Sequence, residues 1–174
     1  MTNNKKIIIV SVVIIILLTI LFATVRFINR KSKPDNVMSE KEVSVYFSTQ
    51  QVMYLTSEKR KVKADNLYSN TIKELIKGPE DSSLNKTIPD GVKLLSIEVE
   101  EGLARVDFNR ALIDNHWGGS TGERMTVYSI VNTLTQFSDI SQVLILIEGK
   151  KVETLAGHLD LSKPLSTNEI IIKK

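Results

Sequence analysis

The feature that most constrains this chain is an apolar run near its N-terminus. The nineteen residues from Ile7 to Val25 (IIIVSVVIIILLTILFATV) carry no charge, and Lys5, Lys6 and Arg26 flank them. An α-helix rises about 1.5 Å per residue, so the run would reach about 28 Å, close to the hydrocarbon thickness of a bilayer. The sequence therefore predicts a transmembrane anchor over residues 7–25, with its ends at Ile7 and Val25, behind a short N-terminal tail of residues 1–6.

The alternative to an anchor is a cleaved signal peptide. Such peptides have an apolar stretch of about 7–15 residues that ends in small residues at the cleavage site. Here the run is longer, Leu21-Phe22-Ala23 is a poor cleavage site, and the chain has no Cys for a lipoprotein signal to acylate. These features favour an uncleaved anchor. Its orientation is set less clearly, because four Arg or Lys residues follow the run closely and the positive-inside rule would keep that side in the cytoplasm.

The net charge of +3 does not indicate nucleic-acid binding. Residues 1–35 hold six basic side chains and one acid, so residues 36–174 hold 17 basic and 19 acidic side chains. The basicity belongs to the flanks of the membrane run, and the remaining chain lacks the basic face that phosphate binding needs. The local cluster Lys59-Arg60-Lys61 is expected on a solvated turn and strand.

The chain after the anchor has the length of one domain. Residues 26–42 are basic or polar, contain Pro34 and lack periodicity, which predicts a tether. The domain is predicted over residues 43–161, with a tail at 162–174 that either adds an edge strand or stays free. The absence of Cys excludes disulfides and thiolate chemistry.

The first half of the domain reads as strands followed by a well-marked helix. Alternating apolar residues predict a strand at Val43–Phe47 and a second short one at Val52–Leu55, with a turn at 57–59. A helix is predicted from about Asn66 to Lys77, with Asp65 as its N-cap and Gly78-Pro79 as its stop.

The second half predicts a hairpin, a helix and another hairpin. Strands at Val92–Val99 and Leu103–Phe108 are joined at Gly102, and a helix follows at about Ser120–Phe137, with Ser120 and Glu123 forming a capping box. A central strand at Val143–Ile147 and a short partner at Lys151–Leu155 complete the order. The expected fold is α+β, with a small, mostly antiparallel sheet and two helices packed on one face.

Six segments, in order, resemble a known family. They are VSVYFS (43–48) with Tyr54-Leu55 and Arg60, ELIKGP (74–79), TIPDGVKLL (87–95), GLARVDF (102–108), SIVNTLTQF (129–137) and VLILIEGK (143–150). In this order they are similar to the GerMN domain, and the resemblance covers nearly all of the chain after the tether. Two features depart from the family pattern: the chain has room for one copy where the best-known members carry two, and it has an apolar anchor where many members have a lipid-accepting Cys.

The resemblance implies a membrane-anchored, non-catalytic module of sporulation or spore germination that lies outside the cytoplasm. It implies protein partners or self-association, with peptidoglycan close by. A cell-wall binding or sensing domain is the alternative function. The implied location opposes the orientation that the charge count favours.

The most unusual stretch is His116-Trp117-Gly118-Gly119, which holds one of two His residues and the only Trp. Exposed aromatic residues in loops often anchor partners, so these four residues are the candidate binding loop. The other interpretation is that Trp117 plugs the edge of the core while the glycines lead into the second helix.

Catalytic motifs are weak in this sequence. Asp107, Asp114 and His116 are the candidate residues for a hydrolase site. However, Asp107 alternates with apolar neighbours and is expected to face solvent or cap a neighbouring turn. His158 and Asp160 would supply two ligands where zinc takes three or four. The prediction is a protein with no catalytic residues, no metal site and no cofactor, with a hydrolase as the third interpretation.

Overall fold

The computed structural model describes residues 16, 18–22, 24 and 39–173. The chain divides into two compact units, Met1–Val37 and Met38–Lys174. Within the first unit, the described residues are helical, and the hydroxyls of Thr19 and Thr24 each donate to a backbone carbonyl three residues earlier, at 2.8 Å.

The described residues contain no helix with the length and apolar character needed to span a bilayer. Most of the predicted anchor, including both of its ends, Ile7 and Val25, lies outside the described residues. The same holds for the N-terminal tail and for all but the last four residues of the predicted tether.

The second unit is an α+β domain, as the sequence predicted. Its elements are β1 (Glu40–Thr49), β2 (Leu55–Lys63), α1 (Leu67–Lys77), β3 (Leu84–Asn85), β4 (Leu94–Glu100), β5 (Leu103–Phe108), α2 (Ala111–Asp114), α3 (Ser120–Leu134), β6 (Gln142–Ile147) and β7 (Lys150–Lys151).

The strands form two sheets where the sequence predicted one. One sheet has the order β2-β1-β3 and is antiparallel, and the other has the order β4-β5-β6-β7. Strands β5 and β6 are parallel, because α3 carries the chain back across the sheet between them. The strand at 143–147 is central, as predicted, while its partner β7 has only two residues.

The two longer helices each contact strands of both sheets. Helix α1 contacts β1, β2 and β4, and α3 contacts β1 and β6. The predicted stripe of α1 is confirmed, because Ile72 and Leu75 are fully buried and Tyr68 and Ile76 pack against the core. The described residues of the main core, which joins these layers, all belong to the second unit.

Both predicted helix caps are wrong. Asn66, in the left-handed region at φ 54°, precedes α1 without a side-chain cap, and Asp65 offers only its backbone carbonyl, to Asn70 Nδ2 at 2.5 Å. Gly119 precedes α3, also without a side-chain cap, and Glu123 points into the interior instead of back to Ser120.

Strand β2 corrects two further predictions. It runs without a turn from Leu55 to Lys63, paired with β1 along its whole length, and the chain reverses earlier, at Val52. Arg60 is buried and not solvated, because it lies over the Phe47 ring and binds Glu58, Glu80 Oε1 at 2.7 Å and the carbonyl of Gly78 at 3.1 Å.

The C-terminal segment is attached to the domain. Leu55 donates to the carbonyl of Ile171 at 2.7 Å and accepts from the amide of Lys173 at 2.8 Å. Ile171 is buried beside Leu55 and Met125 in a second, small apolar cluster. Of the two interpretations left open for the tail, the structure supports pairing with a strand edge, through two isolated bridges, Leu55–Ile172 on β2 and Val143–Leu165 on β6.

Candidate functional site

The candidate binding loop follows the short helix α2 and precedes α3. Asn115 Nδ2 donates to the carbonyl of Asp90 at 2.7 Å, which ties the start of the loop to the turn at residues 89–91. The amide of His116 donates to the carbonyl of Ile113 at 3.1 Å. The loop therefore begins from a fixed backbone.

Both nitrogens of the His116 ring have partners. Nδ1 accepts from the amide of Gly118 at 2.9 Å, and Nε2 lies 3.2 Å from Thr126 Oγ1. The Thr126 hydroxyl donates its single proton to the carbonyl of Thr87 at 2.7 Å. Nε2 must then be the donor to Thr126, which assigns the neutral Nε2–H tautomer to His116.

Burial lowers the pKa of His116 below its ordinary value of 6.5, and the negative charge of Glu123 acts in the opposite direction without cancelling the effect. Desolvation disfavours the charged imidazolium, and protonation of Nδ1 would break its bond with Gly118. At neutral pH the ring is therefore a neutral support for the loop.

Two successive glycines complete the loop. Gly118 and Gly119 both have φ 76°, a region that residues with a Cβ seldom adopt. A Cβ added at either position would meet no atom within 4 Å. Glycine is therefore favoured here because of the positive φ, and not because a side chain would lack room. The carbonyl of Gly119 then accepts from Glu123 at 3.0 Å, which starts α3.

Trp117 projects from this support into solvent. Its side chain is 58% exposed, and its ring centroid lies 6.0 Å from that of His116, at an interplanar angle of 54°. Trp117 therefore does not plug the edge of the core. The structure brings the four predicted loop residues together as one surface feature, held by a half-buried His and displaying a Trp.

Glu123, which sequence reasoning assigned to a capping box, fixes a neighbouring segment. Its carboxylate is fully buried, with Oε1 accepting from the amides of Leu155 (2.8 Å) and Ala156 (2.9 Å) and Oε2 accepting from that of His158 (2.8 Å). The Thr154 hydroxyl also donates to it. Burial would raise the pKa of Glu123, but these hydrogen bonds outweigh it and hold the pKa below its usual range.

The residues of the hydrolase interpretation are engaged elsewhere. Asp107 Oδ1 accepts from the amide of Gly149 at 2.9 Å and so caps the β6–β7 turn, one of the two roles expected for it. Asp114 pairs with Arg110 at 3.2 Å. His116 binds Thr126 and Gly118, so the three side chains do not form one hydrogen-bonded group.

His158 and Asp160 lie in an exposed loop, where Asp160 Oδ1 accepts from the amide of Ser162 at 2.9 Å. Within the part of the chain that the structure describes, no three His, Asp or Glu side chains are grouped as a metal site would require.

Comparison with known proteins identifies similar domains. A family model described as "Germane: Sporulation and spore germination" matches residues 44–153. The crystal structure of a candidate lipoprotein from Clostridium perfringens is similar, with 28% identity and a TM-score of 0.55 over 78% of this chain and 93% of that one. No match is found among curated proteins.

Two solved structures of the sporulation protein GerM from Bacillus subtilis share the fold. Its tandem GerMN domains match with 21% identity and a TM-score of 0.62, over 82% of this chain and 51% of that one. Its first GerMN domain alone matches with 21% identity and a TM-score of 0.58, over 74% of this chain and 97% of that one. The chain therefore spans about half of the tandem structure and the length of a single GerMN domain.

Proposed function

This chain belongs to the Germane family of sporulation and spore germination proteins, and we propose that its domain is a non-catalytic module for protein assembly in one of these processes. The observation that carries the proposal is Trp117, which is 58% exposed on a loop with a fixed backbone. Trp is enriched among the residues that dominate protein interfaces.

The loop is suited to this role because its backbone is already ordered before a partner binds. His116 holds Gly118, Asn115 holds the turn at Asp90, and the amide of Glu123 in α3 donates to the carbonyl of Gly119. A side chain presented by an ordered loop loses less conformational entropy on association than one on a mobile loop. The partner is a second copy of this domain or another sporulation protein.

The test compares two exposed apolar side chains. Trp117→Ala should weaken self-association or partner capture about tenfold or more, as loss of a central interface residue does. Leu95→Ala is the matched control, since Leu95 is 51% exposed on β4 and outside the loop. Sedimentation of the purified protein and crosslinking in sporulating cells are the measurements. A strict monomer with no crosslinked partner, or equal loss in both variants, would contradict the proposal.

We also propose that Ile7–Val25 anchors the chain as a single membrane pass and that the domain lies outside the cytoplasm. The length of the apolar run supports the anchor. The similarity to a candidate lipoprotein supports a membrane-attached domain outside the cytoplasm, although this chain has no Cys to carry a lipid.

The exposed indole also favours a second function, binding of peptidoglycan. An indole presents a flat apolar face that can lie against a sugar ring. If the loop binds a wall glycan, purified peptidoglycan should pellet the wild-type protein and leave Trp117→Ala in the supernatant. Equal pelleting of the two proteins, or none of either, would exclude this function.

A further inference from the structure

A groove with an excess of positive charge lies between the edge strand β2 and helix α1. Its volume is about 370 Å³. Its charged lining consists of four ammonium groups and two carboxylates, from Lys61, Lys63, Lys73, Lys77, Glu40 and Glu74. Counting charges along the sequence predicted no basic face for this domain. The fold corrects that prediction locally, because it places lysines of β2 beside lysines of α1.

Three of these lysines have no partner within the domain. Lys61, Lys63 and Lys73 are exposed and form no ion pair with any residue that the structure describes. Glu40 lies opposite Lys63 in the pairing of β1 and β2, but it too is exposed and forms no ion pair among the described residues. One free carboxylate therefore stands against three free ammonium groups.

The second carboxylate of the groove is already neutralised. Glu74 is paired with Lys77 and lies 3.5 Å from Arg60. Arg60 also binds Glu58 and Glu80, which do not line the groove. When Arg60 and these two partners are counted with the lining, the region still keeps an excess of positive charge.

The walls of the groove are held in place by hydrogen bonds between β2, α1 and the turn that joins them. Asn70 Nδ2 donates to the carbonyl of Lys63 at 3.1 Å and to that of Asp65 at 2.5 Å. An anion that binds between the lysines therefore does not have to order the backbone. The side-chain oxygen of Asn70 accepts no hydrogen bond from the described residues, so it can accept one from a hydroxyl of a ligand.

The chain enters the domain beside this groove. The carbonyl of Ser39 accepts from the amide of Ala64 at 2.8 Å, next to the pair formed by Glu40 and Lys63. The fourteen residues at 26–39, between the predicted anchor and β1, include four basic side chains and one acidic side chain. Fourteen residues extend to at most about 50 Å, so an anchor at residues 7–25 keeps the headgroups of its own membrane at high local concentration.

We propose that this groove binds the anionic headgroups of phospholipids in the membrane that carries the anchor. The ammonium groups of Lys61, Lys63 and Lys73 pair with lipid phosphates, and the Asn70 oxygen accepts from a headgroup hydroxyl. A lipid surface presents several phosphates side by side, which matches several free ammonium groups better than one soluble anion does. The inference rests on the proposed anchor and goes beyond the proposed function of the His116–Gly119 loop.

Labelling of individual lysines tests the groove. The full chain is placed in nanodiscs of phosphatidylcholine alone, or of equal parts phosphatidylcholine and phosphatidylglycerol, and is briefly acetylated with an uncharged reagent. Both orientations of the anchor present the same lipids to the domain. Mass spectrometry should show Lys61, Lys63 and Lys73 reacting about threefold or more slowly in the anionic discs, because each basic side chain near such a surface strengthens binding about fivefold. Lys150 and Lys151, exposed on β7, should react equally in both.

Matched variants test whether the lysines act together. The double variant Lys61→Gln with Lys63→Gln should return Lys73 to its rate in neutral discs. The control Lys150→Gln with Lys151→Gln removes two exposed charges from β7 and should leave Lys73 protected. About 0.5 M NaCl should abolish the protection in the wild type, because salt screens exposed charges.

The outcomes separate this inference from the other proposals. Trp117→Ala should leave the protection unchanged, so a failure of the loop's proposed function does not alter this result. A chain that fails to co-elute with neutral discs would overturn the anchor and this inference with it. A chain that co-elutes but shows equal labelling of Lys73 in both discs, or protection that survives the loss of Lys61 and Lys63, would overturn the groove alone.

Discussion

At the scale of single residues, the buried Glu123 binds the segment at residues 154–158 to α3. One fully buried carboxylate accepts hydrogen bonds from three consecutive or nearly consecutive backbone amides and from one hydroxyl. These amides belong to residues 155–158, which lie in a segment without helix or strand. Because these amides are not hydrogen-bonded within a helix or a strand, their hydrogen bonds to Glu123 determine the conformation of the segment.

Glu123→Gln should therefore destabilise the protein. The amide would keep one oxygen for Leu155 and Ala156 but would place an N–H group against the N–H of His158. A buried donor left without an acceptor costs about 1–3 kcal/mol, which urea denaturation at neutral pH would measure. Glu98→Gln, on the exposed face of β4, is the control and should change the free energy of unfolding by less than about 0.5 kcal/mol. Equal effects of the two substitutions would show that the carboxylate is not required.

His116 makes the loop sensitive to acid. Its pKa in the folded protein lies below 6.5, so the unfolded chain takes up the proton first as the pH falls. Its contribution to stability is complete above about pH 6.5, declines as the pH falls towards the folded pKa, and stops changing below it. Protonation of Nδ1 also removes the acceptor of Gly118 and should loosen the loop.

Because Trp117 is the only Trp, its fluorescence reports this step directly. The emission should change with a midpoint below pH 6.5. His116→Gln should abolish the step, and His158→Gln, which alters the only other His, should retain it. A midpoint above 6.5 would contradict the lowered pKa of His116, and a step that persists in His116→Gln would show that another group titrates.

At the scale of elements, Arg60 joins β2, α1 and the loop that follows α1. Its guanidinium binds Glu58 on its own strand, approaches Glu74 of α1 at 3.5 Å, and reaches Glu80 and the carbonyl of Gly78 beyond the helix. A planar group with several donors can serve these partners together, and an ammonium group cannot.

Arg60→Lys should lower the free energy of unfolding by about 1–3 kcal/mol, because the carbonyl of Gly78 and at least one carboxylate lose a partner. Lys61→Gln, one position along on the exposed side of β2, is the control and should have little effect. Thermal or urea unfolding would measure both. If Arg60→Lys is as stable as the wild type, the several N–H donors of the guanidinium are not what holds the three elements together.

The sequence predicted those elements that local patterns specify. The alternation in β1, the stripe and Gly78 stop of α1, and the turn at Glu101-Gly102, with φ 50° and 82°, are all confirmed. The division into two sheets was missed, because strand periodicity says which residues face a core but not which strands pair. The burial of Arg60 and Glu123 was missed for a similar reason: apart from Glu58, their partners lie 14 to 35 residues away in sequence.

For the candidate binding loop too, the sequence predicted one part of the structure and missed another. Its composition singled out His116, Trp117 and the two glycines, but the sequence left open whether Trp117 was buried or displayed. That choice depends on Thr126, Thr87 and Asp90, which hold the loop from other elements. No local pattern in the sequence specifies these contacts.

At the scale of the whole molecule, the location of the domain depends on the direction in which the proposed anchor crosses the membrane. Reporters fused after Lys174, one active only outside the membrane and one only inside, should give an outside signal. This outcome would show that the two Lys residues before the run outweigh the four basic residues after it, against the simple count. An inside signal would contradict the extracytoplasmic location and restrict the similarity to GerMN domains to the fold.

The central claim is that the domain binds a protein through the loop that displays Trp117. A photo-crosslinking amino acid with an aromatic side chain, placed at position 117 of the full chain in sporulating cells, tests it most directly because it keeps an aromatic ring there, and position 95 on β4 is the exposed control. The account predicts a discrete protein adduct from position 117, either a dimer of this chain or a complex with one partner, and none from position 95. No adduct from position 117, or the same adducts from both positions, would contradict it.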